Sequence, residues 1–152
     1  RGTVCRCIRC REVRKQQIDQ DSLRLDDLVY LAGGAEEHFL SFVTSQDQLA
    51  GFLRLSLPGS ASPPTGLDDL QGAAIIREVH VFGQSLQVGT EQPGAAQHAG
   101  LGTRLLHQAE EIARQHGYSR LAVIAAVGTR RYYQERGYTY GALYLVKPVE
   151  NK

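Results

Sequence analysis

Apolar and polar positions follow two rhythms along this chain. Past its middle, Leu105, Leu106, Ala109, Ile112 and Ala113 recur at helical spacing, which predicts an amphipathic helix that opens after Gly102 and stops at Gly117. Ala73 to Phe82 instead alternates: Ile76, Glu78, His80 and Phe82 share one face of a strand, and Ile75, Arg77, Val79 and Val81 share the other. Upstream, His38 to Thr44 and Gly51 to Leu57 are apolar runs joined by Ser45-Gln46-Asp47-Gln48, the pattern of an antiparallel hairpin. Arg120 to Val127 is almost continuously apolar, as in a strand buried on both faces.

The remaining elements are shorter. Residues 11 to 18 read as a first strand. Ser22 is placed to cap a short helix through Leu23, Leu25, Leu28, Val29 and Leu31 that ends at Gly33-Gly34. Pro58 to Gly72, rich in Pro, Gly and Ser, reads as a surface loop. Thr129 to Arg136 reads as a helix ended by Gly137, and Tyr138 to Val146 as one or two closing strands. The predicted order gives an α/β (α+β) fold, a mixed, mostly antiparallel sheet flanked by helices.

Composition adds limits. At 152 residues, 42% of them hydrophobic and 22% charged, the chain has the makeup of one globular domain. No apolar run approaches bilayer-spanning length and no signal peptide is visible, so we expect a soluble, cytoplasmic protein without membrane contact. Met is absent and the first residues open in mid-motif, so a piece of a longer chain is expected. The net charge of +1 hides a basic cluster of Arg1, Arg6, Arg9, Arg11, Arg14 and Lys15, set against Glu12 alone. Such a cluster is either a phosphate-binding footprint or a solvated surface segment.

Gln97-His98-Ala99-Gly100-Leu101-Gly102 stands between a strand and the long helix. The first amides of a helix lack internal partners and carry the positive end of its dipole, and glycines let a pyrophosphate approach the backbone. The G-x-G-x-x-G order of a dinucleotide fold and the G-K-[ST] ending of a nucleotide-triphosphate loop are both absent. In this position the Gln-x-x-Gly-x-Gly resembles the pyrophosphate loop of the GNAT acetyltransferases, which bind acetyl-CoA there. Two further segments, Arg77-Glu78-Val79-His80-Val81-Phe82-Gly83 and Val127-Gly128-Thr129-Arg130-Arg131-Tyr132-Tyr133 through Arg136-Gly137-Tyr138, narrow the likeness. With the opening Cys5-Arg6-Cys7-Ile8-Arg9-Cys10-Arg11-Glu12-Val13, they resemble the acetyltransferase domain of the Elongator catalytic subunit.

That resemblance implies a division into a cysteine-rich junction, residues 1–12, and a GNAT domain, residues 13–152. It implies a splayed strand pair, Ala73 to Phe82 and Leu121 to Val127, with the pantetheine arm in the opening. Gly100 and Gly102, with the amides of Leu101 and Thr103, would hold the pyrophosphate. Gln97 would brace the loop, and His98 would contact phosphate or cap the turn. Tyr132 and Tyr133 would lie near the thioester as proton donors, although neighbours on a helix cannot face the same way and one could be core. Glu78 is a candidate general base if burial raises its pKa, or else half of an ion pair.

The whole enzyme implied would use acetyl-CoA to build a carboxymethyl group at carbon 5 of the wobble uridine of tRNA. A radical-SAM domain, with its own iron–sulfur cluster and S-adenosylmethionine, would be its partner. Acetylation of a protein lysine or a small amine is the alternative chemistry, and tRNA binding through the basic segment is a third. Cys5, Cys7 and Cys10 are all the cysteines of the chain, and their C-x-C-x2-C spacing is not that of a radical-SAM cluster. Zinc is the expected occupant, with free thiols as the alternative; His80, His38 or the radical-SAM domain would supply a fourth ligand.

Overall fold

The computed structural model describes residues 2–14, 16–82 and 93–150, with residues 93–99 described by their backbone alone. A seven-stranded sheet is its frame. A one-turn helix α1 (Ile8–Arg11) is followed by the strands β1 (Arg24–Ala32), β2 (Ala35–Val43), β3 (Leu49–Pro58) and β4 (Ala73–Val81). The long helix α2 (Pro93–Gln115) leads to β5 (Arg120–Val123), the short helix α3 (Arg130–Gln134), β6 (Thr139–Tyr140) and β7 (Leu145–Pro148). The sheet order is β1-β2-β3-β4-β5-β7-β6. Of its six pairings only β4 with β5 is parallel, so the mixed, mostly antiparallel architecture expected from the pattern is present.

One face of the sheet is closed by α2. Leu101, Leu105, Leu106, Ala109, Ile112 and Ala113 form the buried stripe of the helix, and they meet Leu40, Phe42, Leu53, Leu55, Ile76, Leu121 and Val123. The helical periodicity read from the sequence is this stripe, and apolar burial of this kind drives the packing. Among the described residues, no helix is long and apolar enough to cross a membrane.

Two early elements differ from expectation. Residues 24–32 form β1 rather than a helix, paired with β2 from Arg24↔Val43 to Ala32↔Ala35. Leu25, Leu28, Val29 and Leu31 satisfy a helical template, but cross-strand pairing overrides so short a signal. Gly33 and Gly34, expected as a helix stop, make the hairpin turn with φ of 60° and 80°, as a two-residue turn matched to strand twist requires. Ser22 closes a 3₁₀ turn, Gln20–Ser22, whose cap is Asp19. The described residues of the segment expected as a first strand, 11–14 and 16–18, form none: Glu12 makes a single bridge to Leu49, and Val13 is buried with its N–H donating to the Leu49 carbonyl at 3.0 Å.

The loop from Pro58 to Gly72 carries one structural group. The Asp69 carboxylate accepts the backbone N–H groups of Ala142, Leu143 and Tyr144 at 3.0, 2.7 and 3.0 Å, and so shapes the turn before β7. A Cβ at Gly141 would collide with that carboxylate, so the turn requires glycine there.

Candidate active site

The site begins where two strands part. β4 and β5 pair only from Ala73↔Arg120 to Ile76↔Val123. At the next residue β4 is bulged: Arg54 faces Glu78 and Leu55 faces Ile76, leaving Arg77 without an opposite number on β3. Bulges bend a strand and re-aim its side chains. From Arg77 to Val81, β4 continues without a strand beside it on the β5 side among the described residues. The predicted splay is therefore present, and the freed backbone edge is of the kind that can pair with an extended amide-bearing ligand.

Above the opening lies α2, which begins at Pro93 rather than after Gly102. Proline is favoured at a first helical position, and Ala95 and Ala96 extend the helix readily. Gly100 and Gly102 consequently lie within the helix, and the amides near them are not its unpaired first four. The side chains of Gln97 and His98 lie outside the described residues. Leu101 is part of the buried stripe.

The two glycines differ sharply. A Cβ at Gly100 would meet only the Gln20 side-chain oxygen, at an ordinary 3.8 Å. A Cβ at Gly102 would run into the Tyr132 hydroxyl and approach Val81 at 3.7 Å. Gly102 therefore admits Tyr132 beside β4, and the packing of α3 against α2 depends on its bare backbone.

Tyr132 is held from several sides. The Arg136 guanidinium lies 3.6 Å from the centre of its ring and donates through Nη1 to its carbonyl at 2.8 Å. Arg136 Nε and Nη2 also donate to Thr103 Oγ1, at 3.1 and 2.9 Å, and Thr103 in turn hydrogen-bonds the phenol. Burial pushes the phenol pKa up, while the Arg136 charge and the Thr103 hydrogen bond pull it back. The net shift is upward, so Tyr132 stays protonated at neutral pH and can give a proton. Tyr133 is the inward neighbour: it is 8% exposed and meets Tyr138 edge-on at 5.5 Å. Its phenol is also pushed up, mainly by burial. Of the tyrosine pair, one lines the opening and one is core.

Glu78 lacks the burial expected of a general base; it is partly exposed and faces Arg54 at 3.6 Å. His80 stacks on Phe52 at 5.7 Å. The carboxylate that the chain does bury here is Glu37, which the sequence did not reveal. It is 3% exposed, and its Oε1 accepts from Ser56 Oγ at 2.7 Å and Arg77 Nη1 at 3.3 Å. Its Oε2 has no hydrogen-bond partner among the described residues. Glu37, Ser56 and Arg77 line a cavity of about 440 Å³ with Ile76, Ile124 and Tyr144, next to the point where β4 and β5 separate. A buried, half-satisfied carboxylate is costly and belongs where a further donor is to arrive.

The amino-terminal segment is docked through Asp47, whose carboxylate receives Arg6 and Arg11 at 2.6 Å each. One sulfur each from Cys5, Cys7 and Cys10 lies within 4.8 Å of the other two, all exposed. The Cys10 backbone N–H, then the thiols of Cys5 and Cys10, lower Cys7 to about 7. Donation to Cys7 and Cys5 raises Cys10 to about 11. Three converging sulfurs, one readily ionised, fit a thiolate metal such as zinc. Neither suggested histidine joins them: His38 is buried against Asp27 and Glu36, and His80 lies in the aromatic stack.

Comparison with known proteins agrees with this geometry. Residues 8–138 match the acetyltransferase (GNAT) family model. The chain is 41% identical to the tRNA uridine(34) acetyltransferase of Dehalococcoides mccartyi over 99% of its own length and 34% of that protein. It is 42% identical to Elongator complex protein 3 of Drosophila melanogaster, across 98% of this chain and 28% of the relative. The chain thus spans about a third of the relatives it matches. The solved structure of Methanocaldococcus infernus Elp3 superposes with a TM-score of 0.76 at 33% identity, covering 95% of this chain and 35% of that one. With its splayed strands, the tyrosine beside Gly102 and a family match over most of its length, the chain belongs to the GNAT acetyltransferase family.

Proposed function

We propose that this chain is the acetyl-CoA-binding domain of an Elongator-type tRNA-modifying enzyme, acting in carboxymethyl formation at carbon 5 of the wobble uridine. The observation that carries the reading is the parting of β4 and β5 beneath the Gly102–Tyr132 contact, in a chain 41% identical to a tRNA uridine(34) acetyltransferase. In this reading the acyl-donor arm lies along the free edge of β4. The Tyr132 phenol, kept protonated by burial, gives its proton to the departing thiolate as the carbon–sulfur bond breaks. Glu37, from the adjoining cavity, takes the proton of the incoming nucleophile. The pyrophosphate would rest on the amides around Gly100, which requires the first turns of α2 to open around it.

Cys5, Cys7 and Cys10 would hold zinc as a structural ion, in a cytoplasmic setting that keeps thiols reduced. Arg9 and Arg14, both exposed, are left to face the phosphates of tRNA. A radical-SAM domain, with its iron–sulfur cluster and S-adenosylmethionine, would supply the carbon chemistry as the partner.

The test is calorimetric titration with acetyl-CoA or a non-hydrolysable analogue, alongside Gly100→Glu. The space around Gly100 admits a Cβ without a clash, so the variant keeps its fold while placing a carboxylate where the pyrophosphate would lie. Binding by the parent and not by the variant supports the proposal. Turnover stimulated by tRNA rather than by an amine then sets it above lysine or small-amine acetylation. Equal binding by both chains, or by neither, would overturn the placement of the cofactor.

A further inference from the structure

Far from the strand opening, the carboxyl end of α2 meets β2 through a cluster that no step above uses. His38, on β2, is 5% exposed, with Nδ1 at 2.8 Å from Asp27 Oδ2 and Nε2 at 3.0 Å from Glu36 Oε1. His116, just beyond α2, places Nδ1 at 2.8 Å from the Ile112 carbonyl and Nε2 at 3.2 Å from the same Glu36 oxygen.

The proton inventory of this cluster is informative. A backbone carbonyl can only accept, so His116 Nδ1 carries the hydrogen and the Nε2 of a neutral ring is a bare lone pair. With the hydrogen of a neutral His38 on Nδ1, toward Asp27 and its shorter contact, Nε2 is bare as well. Two bare nitrogens then point at one carboxylate oxygen, a set of mutually repelling acceptors that needs either two added protons or one cation between them. The spacing suits the cation. Tetrahedral zinc, with bonds of about 2.0–2.1 Å, sets its ligand atoms about 3.3 Å apart, and the observed separations to Glu36 Oε1 are 3.0 and 3.2 Å. One ligand atom from each of the three residues lies within 4.8 Å of the other two. Histidine ligands of zinc commonly donate their second nitrogen to a carboxylate or a backbone carbonyl, and both arrangements occur here. The negative end of the α2 dipole adds to the preference for a positive charge.

We propose that Glu36, His38 and His116 form a second metal site, of two imidazoles and one carboxylate, that takes a zinc-type divalent ion with water completing its shell. Bound there, the ion clamps the carboxyl end of α2 to β2, and so steadies the helix whose opposite half bears Gly100 and Gly102.

The experiment uses the chain with Cys5→Ser, Cys7→Ser and Cys10→Ser, which removes the competing exposed thiols without touching the core. After chelation and dialysis it is titrated with Co²⁺, and separately its melting temperature is followed with Zn²⁺. One equivalent of Co²⁺ should develop visible d–d bands with no sulfur charge-transfer band, and Zn²⁺ should raise the melting temperature. His116→Ala, at an exposed position, and His38→Gln should each abolish both responses while the metal-free circular dichroism is retained. Asp27→Asn should weaken Co²⁺ by about 10- to 100-fold. If no band develops, or if His116→Ala binds as tightly as its parent, the cluster is held by protons and the proposal is overturned.

Discussion

The two sides of the strand opening are built on opposite principles. Around Tyr132 the hydrogen-bonding groups are taken up: Arg136 serves Thr103 and the Tyr132 carbonyl, Thr103 serves the phenol, and Gly102 leaves no spare volume. Around Glu37 the cavity is open and, among the described residues, a buried carboxylate oxygen is left over. A satisfied, tightly packed network fixes one geometry, which suits a wall that receives the same acyl donor in every turnover. An unsatisfied acid in a roomy cavity keeps capacity for a second molecule. Under the function proposed above, the contrast would put acyl donor and acceptor on different sides of the opening.

Changing one group on each side should give the largest effects. Tyr132→Phe should slow release of the thiol from acetyl-CoA by about 100-fold or more, with little change in its calorimetric affinity. Tyr133→Phe, in the core, should change turnover only slightly. Glu37→Gln should produce a loss comparable to Tyr132→Phe. Full activity in Glu37→Gln would reduce the cavity to a packing defect and erase the contrast.

A smaller effect separates the two helix glycines. Gly100→Ala should raise stability by up to about 1 kcal/mol through helix propensity. Gly102→Ala gains the same propensity but forces Tyr132 aside, an overpacking cost of about 1–3 kcal/mol. Paired thermal melts would show the opposite signs. A rise in both would mean that Tyr132 is not seated as described.

The smallest effect concerns the edge of the Glu37 cavity, where Asp69 orders the turn that carries Tyr144. Hydrogen bonds from the Leu143, Tyr144 and Ala142 amides, in that order, hold its carboxyl below the usual range. A group depressed on folding contributes stability above its unfolded pKa, about 3.9, and loses it as pH falls through the lower folded value. Melting temperatures measured from pH 5 down to pH 2 should therefore fall less steeply for Asp69→Asn than for its parent. Parallel profiles would show that the carboxylate is not the group holding the turn.

Much of this was legible in the sequence where periodicity was long. The α2 stripe, the β2–β3 hairpin and β4 were each specified by many residues in one rhythm. β1 reads as a helix because Leu25, Leu28, Val29 and Leu31 fit a helical template, while only three of them, Leu25, Val29 and Leu31, alternate; pairing with β2 decides. The start of α2 was placed late because Gly100 and Gly102 suggested a loop, while Pro93 was the better start signal. Tyr132 was legible from its motif. Glu37 was not, because its meaning depends on Ser56 and Arg77, which reach it only through the register of three strands. The cluster at Glu36, His38 and His116 is illegible because His116 is distant in sequence from the other two.

The outermost strand carries a practical consequence. Among the described residues β1 pairs on one side only, and Leu28 and Leu31 along it are 63% and 82% exposed. A nine-residue edge strand, whose alternate residues leave amides and carbonyls facing outward and which bears exposed leucines, is a template for intermolecular pairing. Light scattering from the isolated chain should therefore rise with concentration well before it rises with temperature, and a lysine at Leu31 should suppress it.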